Sequence, residues 1–370
     1  MDCDFQSDHG IDEWVEMMLS PLQGGRYPLS GTIELTERCN FTCQHCYINQ
    51  PAGDRLVKFR ELTTGQWKDI IDQFADAGCL FLLVTGGEPL LRPDFAEIFL
   101  HICSRGILTH LFSNGSLLTP EIADLLAENN LRSLEITLYG GTAETYEKVT
   151  GMKGSFERCL RGIELALERN ITLALKAVLL TTNLHELDEM RALVKSFGLT
   201  SFRYDGNLWP RIDGNPAPLA YQISFEDLLS LDFDDAERYD KWVETYNQFE
   251  DQFKNVPARA GRVFSCGAAF RSFHIDAYGN LCPCGMVRCP SFSLKESDFR
   301  TAWEAVGDIR TWKKSMHTPC DTCTANNLCS QCPGRSFSTH ADFETPDPFI
   351  CELGKKRAQR VILQIQHESI

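Results

Sequence analysis

From about Gly31 to Asp205, short apolar runs alternate with amphipathic stretches. The runs Thr32–Thr36, Leu80–Thr85, Leu108–Phe112, Ser133–Leu138, Thr172–Leu179 and Ser201–Tyr204 are short enough to be buried strands. Helical patterns lie between them. Trp67, Ile70, Ile71 and Phe74 share one helix face behind Thr63, and Gln66 completes a capping box. Thr119 and Pro120 make an N-cap and first-turn pair ahead of Ile122, Leu125 and Leu126. Phe156, Leu160, Ile163 and Leu167 form a further stripe. Leu187, Met190, Leu193, Val194 and Phe197 form the last, stopped by Gly198. All these stripes read as core. Parallel strands need covering crossovers, so repeated strand–helix units predict a parallel sheet. About six units fall short of the eight of a closed barrel, so the expected fold is α/β, a partial (β/α)6 barrel. Its chemistry belongs at the C-terminal ends of the strands.

The pattern changes after Asp205. Pro210, Gly214, Pro216 and Pro218 mark a connector, and Ser224 to Phe253 carries ten acidic against two basic residues. Phe225, Leu228, Leu229, Trp242 and Tyr246 give that stretch helices with a solvated acidic face. The expected organisation is an N-terminal segment (1–30), the barrel (31–205), a connector with acidic helices (206–260) and a cysteine-rich, loop-rich extension (261–370). The chain's net charge of −15 argues against a broad nucleic-acid surface, which needs clustered Lys and Arg. No apolar run reaches a membrane span, and the start Met1-Asp2-Cys3-Asp4 lacks the order of a signal peptide. A cytoplasmic location is therefore expected, where thiols stay reduced.

That location gives meaning to 16 cysteines in a chain of 370 residues. Cys3, Cys79, Cys103 and Cys159 are scattered and are assigned no chemistry: buried packing accounts for Cys79, Cys103 and Cys159, and Cys3 falls in the terminal segment. Two dense groups remain. Cys39, Cys43 and Cys46 follow the first strand, in a loop able to wrap around a metal centre. Three thiolates undersupply a structural zinc site and a fully protein-held iron–sulfur cubane, so one metal position stays open to another ligand. His45 offers a fourth donor, so zinc stays open on counting alone. The second group comprises Cys266, Cys282, Cys284, Cys289, Cys320, Cys323, Cys329, Cys332 and Cys351. Its two C-x2-C pairs also suit a zinc ribbon.

The spacing C-x3-C-x2-C resembles the cluster loop of the radical S-adenosylmethionine (SAM) enzymes. The resemblance implies a [4Fe–4S] cluster on Cys39, Cys43 and Cys46, with SAM on the fourth iron through its amino and carboxylate groups. The residue before the third cysteine, here His45, would lie near the adenine. Thr85-Gly86-Gly87-Glu88-Pro89 resembles the family's GGEP motif, which contacts the SAM amino group. Glycines allow close backbone approach, and a carboxylate accepts hydrogen bonds from an ammonium. Ser113, Asn114 and Thr137 fall where the family contacts the ribose, and Lys176 where a polar or basic residue meets SAM or substrate. Tyr139-Gly140 departs from the common pattern, which has an acidic residue before the glycine.

From Cys266 to Cys351 the series resembles the SPASM extension of many radical SAM enzymes, with x2 in the last pair where x3 is commoner. The resemblance implies one or two auxiliary [4Fe–4S] clusters. Cys320, Cys323, Cys329 and Cys351 would hold the outer one. Cys266, Cys284 and Cys332 would hold the inner one, whose fourth position falls to Cys282, to Cys289 or to no residue.

The activity so implied is reductive SAM cleavage and hydrogen abstraction, most simply to oxidise or cross-link a peptide or protein side chain. A small-molecule substrate, such as a carbohydrate or cofactor precursor, is the alternative. A non-catalytic zinc or iron–sulfur protein is the reading from another class. Implied partners are an electron donor such as flavodoxin or ferredoxin and, with only about 30 residues before the first strand, a separate peptide-recognition protein or a direct groove. Nucleic acid and membrane are not expected partners. Arg203, Tyr204, Asp205 and Arg211 are the candidates for the substrate side.

Overall fold

A computed structural model describes residues 25–129, 131–248, 261–325 and 328–368. Cys3 and the end of the expected acidic helices (249–260) lie outside them. Six strands form a continuous parallel array: β1 (Ser30–Glu34), β4 (Phe81–Thr85), β5 (Leu108–Ser113), β6 (Ser133–Leu138), β7 (Leu173–Val178) and β8 (Phe202–Asp205). Each expected strand is present within two residues of its predicted limits. A two-stranded ribbon, β2 (Arg38–Cys39) with β3 (Gln50–Pro51), flanks the first cysteine loop.

The helices form where the periodicity placed them. After the short α1 (Arg55–Arg60), α2 (Thr64–Asp76) opens with the Thr63–Gln66 capping box and buries Trp67, Ile70, Ile71 and Phe74. The crossovers continue with α3 (Phe95–Ser104), α4 (Pro120–Glu128), α5 (Ala143–Thr150), α6 (Ser155–Glu168) and α7 (Leu187–Ser196). Leu82, Val84, Leu111, Leu134, Ile136 and Leu138 point into the core beneath these helices and are essentially inaccessible to water. At roughly 2 kcal/mol per fully buried aliphatic side chain, this layer holds the strands in register.

The sheet does not stop at β1. Strand β9 (Ser272–Ile275) adds to it in parallel, and β10 (Asn280–Cys282) and β11 (Phe292–Ser293) follow antiparallel. Nine strands therefore run in the order β11-β10-β9-β1-β4-β5-β6-β7-β8. The first three of that order belong to the cysteine-rich region, which the sequence presented as loop-rich. Phe273 of β9 locks the addition by packing on Phe74, and on Phe299 and Trp303 of α10 (Phe299–Val306).

The acidic stretch forms α8 (Phe225–Phe233) and α9 (Ala236–Gln248). Two further helices, α11 (Pro333–His340) and α12 (Pro348–Glu368), complete the extension. Asp232 of α8 accepts from Arg238 and from Arg357 of α12, both at 2.7 Å, and joins the three helices through a buried charge. No helix among the described residues is long and apolar enough to cross a membrane.

Candidate functional site

The loop after β1 is fixed from both sides. Thr42 donates its amide to Thr150 at 2.8 Å and Gln44 to Val149 at 3.1 Å, so the loop hangs on the end of α5. On the other side the Gly86-Gly87 turn at the end of β4 lies directly on the backbone leading into Cys39. A β-carbon at Gly87 would stand 2.3 Å from the Arg38 carbonyl oxygen, and one at Gly86 2.2 Å from that of Thr36. The amides of Gly87 and Glu88 donate to Thr36 and Arg38 at 2.7 and 2.9 Å. Glycine is thus required here for backbone approach.

Cys39, Cys43 and Cys46 are brought together. Burial, with the charge of Glu88, pushes the Cys39 thiol up to about 12. Burial also raises Cys43 and Cys46; Cys39 feels the charge of Cys46, and Cys43 feels those of both. Backbone amides face two of them, Phe41 toward Cys39 at 3.4 Å and Asn49 toward Cys46 at 3.3 Å. Burial this deep keeps the three groups as thiols until a multiply charged cation draws off their protons, and three sulfur donors on one loop fit an iron–sulfur cluster. Among the described residues no three donors gather around a single metal ion.

Glu88 is fully buried, and burial pushes its carboxyl up to about 7. Its oxygens accept from the Ser113 hydroxyl (2.9 Å) and from the amides of Leu90 (3.1 Å) and Asn114 (2.8 Å). Two oxygens offer about four acceptor positions, so one is left for a ligand ammonium. Asn114 turns toward the cluster loop, donating to Asn40 at 2.9 Å and approaching Cys39 at 3.8 Å. Pro89 is buried at the start of a short turn, and Thr137, next to last in β6, directs its carbonyl toward Tyr146. His45 packs on Tyr139 with ring centroids 5.3 Å apart, and burial holds it down to about 4. Tyr139, at the departure from the family pattern, lies close enough to Cys43 to offset part of the upward push of burial on that thiol.

The four substrate-side candidates separate. Arg203 joins Lys176 on Glu135, at 2.5 and 3.2 Å, and Lys176 lies over the Phe112 ring. Tyr204 points to the opposite face of β8, where its hydroxyl donates to Asp235 at 2.8 Å and accepts from Arg191. Strand alternation separates it from Arg203. Asp205 accepts from the amide and side chain of Asn207. Arg211 reaches back to the cysteine loop, donating to Asn49 at 3.2 Å and to the Cys46 carbonyl at 3.4 Å. Sequence reasoning missed Glu34, Glu135, His274 and Arg288. Acidic residues inside apolar strand runs were the available signal for the first two.

In the extension, Cys351 feels the charges of Cys320, Cys329 and Cys323, and is pushed up to about 11 by burial and by them. Cys332 feels that of Cys266. Cys332 caps α11, and the start of that helix packs on the Cys284–Val287 turn: a β-carbon at Gly334 would meet Val287 at 2.9 Å. Cys282 is buried in β10 beside Cys284, whereas Cys289 is exposed.

Residues 33–194 match the model of the radical SAM superfamily. The chain is 28% identical over 339 residues to the AdoMet-dependent heme synthase of Methanosarcina barkeri, covering 87% of this chain and 96% of that one. It is 28% identical over 335 residues to the mycofactocin maturase MftC of Mycolicibacterium smegmatis, covering 87% and 82%. Its fold is similar to that of Streptococcus suis SuiB bound to the precursor peptide SuiA. The TM-score is 0.65 at 16% identity, over 93% of this chain and 80% of that one.

Proposed function

We propose that the chain is a radical SAM enzyme, its radical SAM domain joined to a SPASM-like C-terminal extension, and that it oxidises or cross-links a peptide side chain. The observation that carries this reading is the packing of the Gly86-Gly87 turn onto the backbone that leads into the three-cysteine loop, which brings the two motifs together beyond the ends of β1 and β4. Cys39, Cys43 and Cys46 would hold the SAM cluster, Cys320, Cys323, Cys329 and Cys351 an outer auxiliary cluster, and Cys266, Cys284 and Cys332 an inner one. When bound, cluster and SAM supply a 5′-deoxyadenosyl radical that removes a substrate hydrogen.

The chain's own part is placement. Glu88 offers one carboxylate position to the SAM ammonium and fixes Ser113 and Asn114 with the rest. Thr137 and His45 are linked through Tyr146 and Tyr139 and would contribute the ribose and adenine contacts. Glu135, Lys176 and Arg203 form one charged cluster across β6, β7 and β8 that would bind polar substrate groups. Arg211 holds the loop from the connector. A peptide substrate follows from the maturase among the relatives. The equally similar heme synthase favours a second reading, a tetrapyrrole-like small molecule.

The test is anaerobic reconstitution, iron and sulfide counting, and assay of 5′-deoxyadenosine with dithionite. Production is expected in the wild type and none in Cys39→Ala. A fully reconstituted wild type that makes none would sink the reading. Peptides encoded beside the gene, tried against porphyrin precursors, decide the substrate class.

A further inference from the structure

Strand β9 carries a histidine that no part of the site above uses. His274 is 1% exposed; Nδ1 has no hydrogen-bond partner, and Nε2 has only the Glu34 carboxylate, just beyond hydrogen-bond length at 3.6 Å. A buried polar atom without a partner is unfavourable, so the orphaned Nδ1 needs an explanation. Its surroundings supply one. His274 stands directly opposite Cys282 in the antiparallel β9–β10 pair, so both side chains leave the same face of the sheet. The ring lies against Gly285, the residue after Cys284, with Nδ1 3.5 Å from where a β-carbon there would be. Nε2 faces the opposite way, 3.6 Å from Oε1 of Glu34. Glu34 is also 1% exposed. Arg288 donates to it at 2.7 Å, and although burial pushes its carboxyl up, His274 and Arg288 hold it down to about 2.

This is the arrangement of a ligating histidine: one nitrogen toward the metal side, the other toward a carboxylate that fixes tautomer and orientation. The neighbourhood is that of the inner cysteines. Cys284 precedes the glycine under the ring, Cys332 caps the helix packed on the Cys284–Val287 turn, and Cys266 precedes the bridge between Ala268 and Ser272 that leads into β9. The rival fourth donors are worse placed. Cys289 is exposed, and the Cys282 sulfur lies by the carbonyls of Asn280 and Arg288, at 3.7 and 4.0 Å.

We infer that His274, through Nδ1, is the fourth protein ligand of the inner auxiliary cluster, with Glu34 accepting the proton of Nε2. The inference rests on the reading of Cys266, Cys284 and Cys332 as the other three ligands. A neutral imidazole in place of a thiolate leaves the cluster one unit less negative and therefore easier to reduce. It also closes the open iron through which substrate would otherwise bind.

The experiment uses the full chain, anaerobically reconstituted and reduced, with iron counting, pulsed EPR and a redox titration on wild type, His274→Cys and His274→Gln. Three clusters require about twelve irons per chain. The expected wild-type spectrum contains a strongly coupled nitrogen on one auxiliary cluster. His274→Cys keeps the iron, loses that nitrogen and shifts the cluster's midpoint to lower potential; His274→Gln loses iron from that cluster. Twelve irons with no such nitrogen, or a nitrogen that survives in His274→Cys, overturns the ligand and leaves the cysteine reading standing. About eight irons in the wild type, unchanged in Cys284→Ala, overturns both.

Discussion

Gly87→Ala puts the assembly of the site to a direct test. The new β-carbon would lie 2.3 Å from the Arg38 carbonyl oxygen and 2.6 Å from both the Arg38 carbonyl carbon and the Glu37 carbonyl oxygen. Carbon contacts settle near 3.5 Å, so one backbone must retreat by about 1 Å. The obstacles are main-chain atoms of β2 and its approach, so no rotamer change relieves them. Overpacking of this kind costs about 1–3 kcal/mol. The retreat also weakens the amide bonds of Gly87 and Glu88 to Thr36 and Arg38, each worth about 1 kcal/mol. A stability loss of about 3 kcal/mol is expected, with a larger effect on chemistry, because a 1 Å misplacement costs about 100-fold in rate. The assay is thermal unfolding of the reconstituted protein beside 5′-deoxyadenosine production with dithionite. Gly65→Ala is the control: it lies in α2 with nothing within 4 Å of its β-carbon, and should be neutral or slightly stabilising. Wild-type cleavage and melting in Gly87→Ala would refute the claim that this contact assembles the site.

Other perturbations address separate parts of the molecule. Asp232→Ala strands the buried Arg357 and should cost about 3–5 kcal/mol, read as a lower melting temperature with loosening of α8, α9 and α12 in hydrogen exchange. Arg211→Ala frees the loop at Cys46 and Asn49; chelator-driven bleaching of the cluster should accelerate while global melting barely changes. Burial holds the Lys176 amine down to about 8 against the pull of Glu135. Below that pH the folded state carries a disfavoured charge. Between about 8 and its ordinary 10.5 the unfolded chain binds the extra proton, so this group's contribution to stability rises with pH. Comparing melting of wild type and Lys176→Met at pH 8 and pH 10 should show that rise in the wild type alone.

Much of the barrel was legible because its signals are local. The six strands and the capping of α2 and α4 follow from spacing and from residues a few positions apart. The joining of β9 to β1 was not legible, because Ser272 and Ser30 meet only through folding from distant parts of the chain. Of the substrate-side candidates, Arg203 and Tyr204 are neighbours in sequence, yet the pleat sends one to Glu135 and the other to Asp235. Arg211 sits in a connector with no periodicity to say that it returns to the cysteine loop.

By itself the sequence determined the three-cysteine loop, the glycine pair and the cysteine series, because their chemistry depends on residue type and covalent spacing. Only the tertiary structure decided what those residues face. Burial and orientation come from packing between remote segments. That packing filled most of Glu88's acceptor positions from its own chain, turned Asn114 toward Cys39, and set Glu34 against a histidine 240 positions away in the sequence.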